Sequence, residues 1–339
     1  MAPAGWKCDL ASDLVTWLVT GGAGYVGAHV AQAMTAAGED VVVLDDLSTG
    51  ALDRVRDHRL EVASVLDQDA VTAVLRRHRV TGIVHLAGKK QVGESMTRPI
   101  EYYHENVEGL RRLLAAAVAT QVSSFVFSSS AAVYGSPDVD LVTEDTRCQP
   151  VNPYGETKLV GEWLVDAVAR ATGMRTVNLR YFNVAGTEAP GLADTVVANL
   201  VTQVFARIDA GRRPLIFGDD YNTADGTCIR DFIHVGDVAA AHVAAARALA
   251  ERRLETATLN VGRGEGVSVR EMCAVIGRVC GTSPLLVPEV VARRPGDPAR
   301  VVASAERIHE VLGWRAELDV EEMVRSAWAG WQCAQPILA

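Results

Sequence analysis

Short apolar runs and longer amphipathic stretches alternate along the first half of this chain. Val15–Thr20, Val41–Leu44, Glu61–Val65, Gly82–Leu86, Ser124–Phe127 and Arg175–Leu179 are runs of strand length. Apolar residues predominate in most of them, the pattern of buried strands. Between them lie stretches with helical spacing, Ala28–Ala37, Asp69–His78, Arg98–Ala119 and Gly155–Thr172, the first followed by Gly38 as a natural C-cap. Alternating strands and helices predict an α/β fold with a doubly wound parallel sheet, whose ligands bind beyond the carboxyl ends of the strands. The pattern changes after Leu179. A Gly/Pro loop (Gly186–Ala193), a helix (Val196–Ala210), a short strand (Leu215–Phe217) and a turn-rich segment (Gly218–Thr227) precede a helix over Asp237–Ala250. A strand over Ala257–Val261 is expected to return to the first sheet, with a helix over 267–280 and a basic loop, Arg293–Arg300, beyond it.

The turn after the first strand reads GGAGYVG, so Gly22, Gly24 and Gly27 satisfy G-x-G-x-x-G, and Asp45 ends the second strand 18 residues after Gly27. Glycines let the backbone turn tightly against a pyrophosphate, the helix N-terminus offers free N–H groups, and the acid accepts from ribose hydroxyls. Strand, glycine turn, helix, strand and acid together point to a dinucleotide. An acid at position 45 favours NAD over NADP, because it would repel a 2′-phosphate.

A second chemical stretch spans Val126–Lys158. An apolar strand runs into Ser128, Ser129 and Ser130, and Asn152-Pro153 opens a helix in NPYGETK. Tyr154 and Lys158 are spaced i, i+4 and share one helix face. A phenol ionises near ~10, and a cation within about 4–6 Å favours the phenolate, so this pair suits a general base with a strand-end serine sharing the proton. Taken alone, Tyr-x-x-x-Lys is a weak signal, and a surface tyrosine with a solvated lysine is the ordinary reading.

Composition narrows the classes. Of 339 residues, 49% are apolar and 22% charged, which fits a globular protein with a sizeable core. The net charge of −9, without a long basic run, argues against nucleic acid as the main partner. Six scattered cysteines without a C-x-x-C pair predict ordinary thiols in a reducing cytosol, with neither a disulfide framework nor bound metal. No apolar run approaches the ~20 residues needed to span a bilayer. Residues 1–14 lack the pattern of a signal peptide and are expected to form a flexible extension.

The stretches GGAGYVG, HLAGKKQVGES, FSSSAAVYG, NPYGETK, LRYFNVAG, IFGDDYNTADGTCIRDFIHV and RRPGD together resemble the extended short-chain dehydrogenase/reductase superfamily, and within it the UDP-glucose (UDP-galactose) 4-epimerases. The likeness extends from about residue 15 to 330. It implies a Rossmann-type NAD-binding domain over 15–183 plus about 232–261, and a smaller nucleotide-sugar-binding domain over 184–231 and 262–339. It also implies that Tyr154 is the base, that Lys158 lowers its pKa and holds ribose hydroxyls, and that Ser130 bonds the sugar O4. Gly21, Gly24, Tyr25, Val26, Gly27, Asp45, Ala87, Lys90 and Tyr181 would surround the cofactor. Asn183, Asn199, Phe217, Arg230, Arg294 and Asp297 would line the UDP-sugar, the arginines gripping its diphosphate.

The implied reaction is redox-neutral, with hydride leaving C4 for NAD⁺ and returning to the other face of a transient 4-keto sugar. A homodimer through helices Arg98–Ala119 and Gly155–Thr172 is a further implication.

Several residues depart from the family pattern. Ala63-Ser64-Val65 replaces Gly-Asp-Ile, Glu105-Asn106-Val107 replaces Asn-Asn-Val, Ala132 stands where threonine is common, and the Gly186–Ala198 loop differs. Val301 occupies a position where some members carry tyrosine, and a small residue there resembles members that accept N-acetylated hexosamines. The alternatives are therefore another UDP-sugar (hexosamine, uronate or pentose), a dehydratase or decarboxylase, and a non-catalytic NAD-binding regulator. The dehydratase lacks its acid pair here, because Ala131-Ala132 follow Ser130. The regulator is disfavoured by the joint presence of Ser130, Tyr154 and Lys158.

Overall fold

The computed structural model describes residues 15–282, 287–294 and 296–334; residues 1–14 lie outside it. The strands in chain order are β1 (Thr16–Thr20), β2 (Asp40–Asp45), β3 (Arg59–Val62), β4 (Gly82–His85), β5 (Ser124–Ser130), β6 (Arg175–Tyr181), β7 (Asn183–Ala185), β8 (Leu215–Phe217), β9 (Ile229–His234), β10 (Thr256–Val261), β11 (Gly266–Ser268), β12 (Glu289–Val291) and β13 (Arg300–Val301). The helices are α1 (Tyr25–Ala36), α2 (Gln68–Arg77), α3 (Val92–Thr97), α4 (Pro99–Tyr103), α5 (Gly109–Ala119), α6 (Pro153–Thr172), α7 (Leu200–Asp209), α8 (Val235–Ala250), α9 (Val269–Val279), α10 (Glu306–Leu312) and α11 (Val320–Ala334).

A seven-stranded sheet runs β10-β6-β5-β4-β1-β2-β3, parallel throughout, with β10 joining at the edge beside β6. The order reverses between β1 and β4, which creates the crevice where such sheets bind ligands. Alternation within β1 feeds both faces: Trp17 and Val19 pack with residues of α1 and α8, whereas Leu18 packs with residues of α2 and α5. The second sheet, β11-β9-β13 with β7 on β9, and the β8–β12 pair belong to the later part of the chain. Phe205, Phe232, Met272, Ile276, Val324 and Trp331 form a separate core there.

Three expectations need correction. The strand expected over Glu61–Val65 is Arg59–Val62 and stops where its partner β2 ends, at the pairing of Asp45 with Val62. The helix expected over Val196–Ala210 starts at Leu200, because Asn199 caps it. The long helix expected over Arg98–Ala119 is interrupted by a wide turn with π geometry, His104–Glu108, between α4 and α5. That turn swings Asn106 inward, where it clamps the chain after β4.

Candidate active site

The glycine turn fits tightly against the two strands that flank the crevice. Gly21 has a φ of +70°, and a Cβ on it would lie 2.6 Å from the Ala87 nitrogen beyond β4. A Cβ on Gly27 would lie 2.1 Å from the Gly21 carbonyl oxygen, so only glycine lets α1 start this close to β1. Helix α1 begins at Tyr25, earlier than its apolar pattern indicated, with no side-chain cap and no acid in its first turn. Its first N–H groups therefore remain available to an anion.

Tyr25 turns its side chain into the protein and donates to the Gly186 carbonyl at 2.6 Å, leaving its backbone at the helix start. Val26 is half-buried against the α1–α8 core. Lys90 lies with its amine 5.5 Å from the Tyr25 ring centre, which brings a cation to the same end of α1. Asp45 accepts from Ala23 N at 2.9 Å and from Leu47 N at 2.8 Å, one bond on each carboxylate oxygen. Burial raises its pKa, and those two N–H groups oppose the shift. Each oxygen keeps a lone pair for a ribose hydroxyl. Ser64 accepts from Leu66 N within its own turn, and Glu105 points partly to solvent while its neighbour Asn106 is buried.

The Ser–Tyr–Lys cluster forms where β5 meets α6. Asn152 caps α6 by accepting from Gly155 N at 2.9 Å, with Pro153 in the first turn and Gly173 closing the far end in the left-handed region. This start fixes the phase of the helix. Tyr154 and Lys158 face β5 and are only 9% and 7% exposed. The Lys158 amine donates to the Ser128 carbonyl at 2.8 Å and lies 5.9 Å from the Tyr154 ring centre. Burial raises the Tyr154 pKa, and the nearby Ser130 hydroxyl acts against it. Burial likewise pushes Lys158 down to about 8, with Glu162 acting the other way. Lys158 is expected to lower the Tyr154 pKa; in the protein alone the largest influence on that phenol is desolvation, which raises it. Tyr181, at the end of β6, hydrogen-bonds to the Ser128 hydroxyl below the cluster.

The chain passes from Tyr181 into β7 within two residues, which joins the second sheet directly to the strand beside the cluster. Asn183 opens β7 and is exposed. Arg230, on β9, donates to Asp297 at 2.5 Å. Arg294 stacks 3.7 Å from the Phe217 ring centre. The loop between them is tied back to the chain after Ser130 through Ser136, whose hydroxyl donates to the Gly296 carbonyl at 3.4 Å. A cleft of about 270 Å³, lined by Val197, Leu200 and Leu215 among others, opens beside β8. Asn199 uses its amide locally, accepting from Thr202 N at 3.0 Å and donating to Asp194 at 3.1 Å.

Sequence reasoning missed Asn106, which accepts from Lys89 N at 2.8 Å and donates to the Lys89 carbonyl and the Thr157 hydroxyl at 3.0 Å. A wide turn leaves no mark on helical periodicity. It also missed Glu162 and Arg180, although Glu162 continues the i, i+4 series begun by Tyr154 and Lys158.

The fold and the cluster define a Rossmann-type dinucleotide-binding protein with a buried serine–tyrosine–lysine group at a strand end. The chain belongs to the NAD dependent epimerase/dehydratase family, whose model matches residues 17–262. It is 44% identical to a UDP-glucose 4-epimerase of Azospirillum brasilense, over 91% of this chain and 90% of that protein. Among solved structures it is similar to the UDP-glucose 4-epimerase of Bifidobacterium longum in complex with NAD⁺ and UDP, with a TM-score of 0.85 and 33% identity over 94% and 98% of the two chains. It is also similar to the UDP-Glc/GlcNAc 4-epimerase of Campylobacter jejuni, with a TM-score of 0.82 and 35% identity over 94% and 99%. Among the described residues no helix is long and apolar enough to cross a membrane, and no cluster of side chains could hold a metal ion.

Proposed function

We propose that the chain is an NAD-dependent UDP-hexose 4-epimerase, interconverting UDP-glucose and UDP-galactose through a transient 4-keto sugar. The observation that carries this reading is the Ser130–Tyr154–Lys158 cluster, buried beside the strand whose crevice holds the glycine turn. Family membership and the relatives support it.

The residues present fit NAD. The glycine cradle that a Cβ would fill, the uncapped start of α1, Lys90 above Tyr25 and the carboxylate of Asp45 suit a pyrophosphate with an unphosphorylated ribose. Bound NAD supplies a hydride acceptor that later returns the same hydride. In the proposed mechanism Tyr154, as the phenolate, removes the proton from the sugar O4, and Ser130 hydrogen-bonds that oxygen. Lys158 counters the desolvation of the phenolate with its charge, and the positive charge of the oxidised cofactor, when bound, would act in the same sense. After the 4-keto sugar has turned about its diphosphate, Tyr154 gives the proton back. Burial of the cluster keeps water from the ketone.

The substrate side follows the same reading. Arg230 and Arg294 hold the diphosphate, with Asp297 orienting Arg230 and Phe217 supporting Arg294. The apolar cleft beside β8 takes the base. Asn183 reaches the sugar, and Asn199 shapes the start of α7 at the rim. The NAD domain comprises residues 15–183 and about 232–261, and residues 184–231 and 262–339 form the nucleotide-sugar domain. The partner is a second copy, docked on the outer face of α6, where Trp163 is 61% exposed beside a cavity of about 680 Å³ that Tyr103 and Val151 also line. A reducing cytosol suits the five free cysteines among the described residues.

A UDP-hexosamine is the second reading. Val301 is small and packs with Val133 and Phe182 near the cluster, and the Campylobacter neighbour is named for both sugars. Proton NMR of UDP-galactose incubated with the purified protein tests the main reading. Appearance of UDP-glucose supports it, and silence with NAD added refutes it.

A further inference from the structure

Three consecutive serines of β5 meet three residues of α6. The Ser130 hydroxyl acts on the Tyr154 phenol and lowers its pKa, the Ser128 carbonyl takes the Lys158 amine, and the Ser129 hydroxyl bonds Glu162. Tyr154, Lys158 and Glu162 follow one another at i, i+4 and i+8, so all three lie on the buried face of the helix. Glu162 is 3% exposed. It is gripped from β6 by Arg180, whose Nε lies 2.8 Å from Oε1 and whose Nη2 lies 2.6 Å from Oε2. Arg180 is itself held by the Tyr134 hydroxyl at 2.9 Å, and that hydroxyl donates to Asn260 at 2.7 Å. The carboxylate therefore has no freedom to swing toward Lys158 or away from it.

Lys158 is buried, and among the described residues no carboxylate lies within ion-pair distance of its amine. The groups around it are mostly neutral or of its own sign. From β5 it meets the Ser128 carbonyl and the Phe127 ring, 5.2 Å away. From β4 it meets His85, which burial and Lys158 itself push down to about 3, so that it stays neutral. From β6 come the Tyr181 phenol, held on the Ser128 hydroxyl, and, one step further out, the Arg180 cation held on Glu162. On its own helix lie Tyr154 and Glu162.

We propose that Glu162 is a positioning residue that keeps the Lys158 amine charged beneath Tyr154, with Ser129 and Arg180 serving to hold its carboxylate in place. The inference rests on the reading of Tyr154 and Lys158 as the proton-transfer pair. A neutral lysine could not support the phenolate, so Glu162 extends the pH range over which the pair works without touching substrate or cofactor.

The test replaces Glu162 with glutamine, alone and together with Arg180→Gln, and reads Lys158 directly. The chain has four lysines, Lys7, Lys89, Lys90 and Lys158. Its lysine Cε–Nζ correlations can therefore be titrated by NMR in ¹³C,¹⁵N-lysine-labelled protein, with Lys158→Arg for assignment. E162Q should lower the Lys158 pKa by about one pH unit or more, and the alkaline limb of kcat should move down with it. The shift should persist in the E162Q/R180Q double variant, which carries no unpaired arginine. Restoration of the wild-type value in the double variant would overturn the proposal, leaving Glu162 only the task of neutralising Arg180. An unchanged Lys158 titration in folded E162Q would overturn it as well. If the variant does not fold, Ser129→Ala, which only loosens the carboxylate, should shift Lys158 in the same direction by less, and no shift would again overturn the proposal. The titration needs no turnover, so absence of epimerase activity would count against the proposed function and not against this inference.

Discussion

The guanidinium of Arg294 lies over the ring of Phe217, 3.7 Å from its centre. The stack fixes a planar cation on the short strand β8, at the side of the molecule where Arg230 is aimed by Asp297. Two oriented guanidinium groups are what a diphosphate needs, since each can present parallel N–H donors. Arg294→Ala should raise KM for the UDP-sugar about 10- to 100-fold, the loss of one charge-assisted contact. Its kcat should change little, because in the proposed function this group holds the diphosphate and takes no part in the chemistry at C4. Steady-state kinetics and UDP titration calorimetry check this.

Tyr154→Phe removes one oxygen from a buried site and leaves the rest of the cluster in place. Turnover should fall about 10²- to 10⁴-fold, the usual worth of a positioned acid–base group. UDP affinity should stay at the wild-type value. Retention of activity would assign the proton transfer elsewhere.

Gly27→Ala places a Cβ 2.1 Å from the Gly21 carbonyl oxygen, so α1 must move away from β1. A cost of about 1–3 kcal/mol is expected from such overpacking. The glycine cradle opens at the same time, so the variant should unfold at lower temperature and lose cofactor during gel filtration. Cofactor absorbance in the protein peak reports the second effect.

Stability should depend on pH through buried histidines. Burial pushes His29, His234 and His242 down to about 4, against roughly 6.5 when unfolded. Between those values the unfolded chain binds more protons than the folded one. Their contribution is therefore complete above about pH 6.5 and is lost as pH falls toward 4. Asp231, pushed up to about 6 by burial, acts in the opposite sense below that pH and offsets part of the loss. His242→Leu should remove about one proton from the slope of stability against pH in this window. Urea unfolding at several pH values measures it.

Much of this architecture was legible in the chain because burial on both sheet faces writes apolar runs, and glycines mark the turn they permit. The glycine turn, Asp45 and the serines fell at strand ends, and Tyr154 and Lys158 fell on one face of the helix that follows, so all could be placed from their neighbours. What stayed hidden depends on local hydrogen-bond geometry. The wide turn at His104–Glu108 keeps a helical composition, so Asn106 read as an ordinary helix residue, and attention went to Glu105 instead. Asn199 read as a ligand-facing amide, whereas the start of α7 uses both of its polar atoms. Tyr25 sits in the cofactor motif, yet its side chain serves the contact between α1 and Gly186. The pairing of Glu162 with Arg180 joins residues 18 apart in sequence and on different elements, which no local pattern records.

In the proposed function, hydride leaves C4 and returns to the same carbon while Tyr154 carries only the proton. The most direct measurement follows UDP-glucose deuterated at C4 by NMR and mass spectrometry during incubation with the enzyme. UDP-galactose should form with deuterium still at C4 and none released to solvent. Washing-out of the label, or its appearance at another carbon, would contradict it.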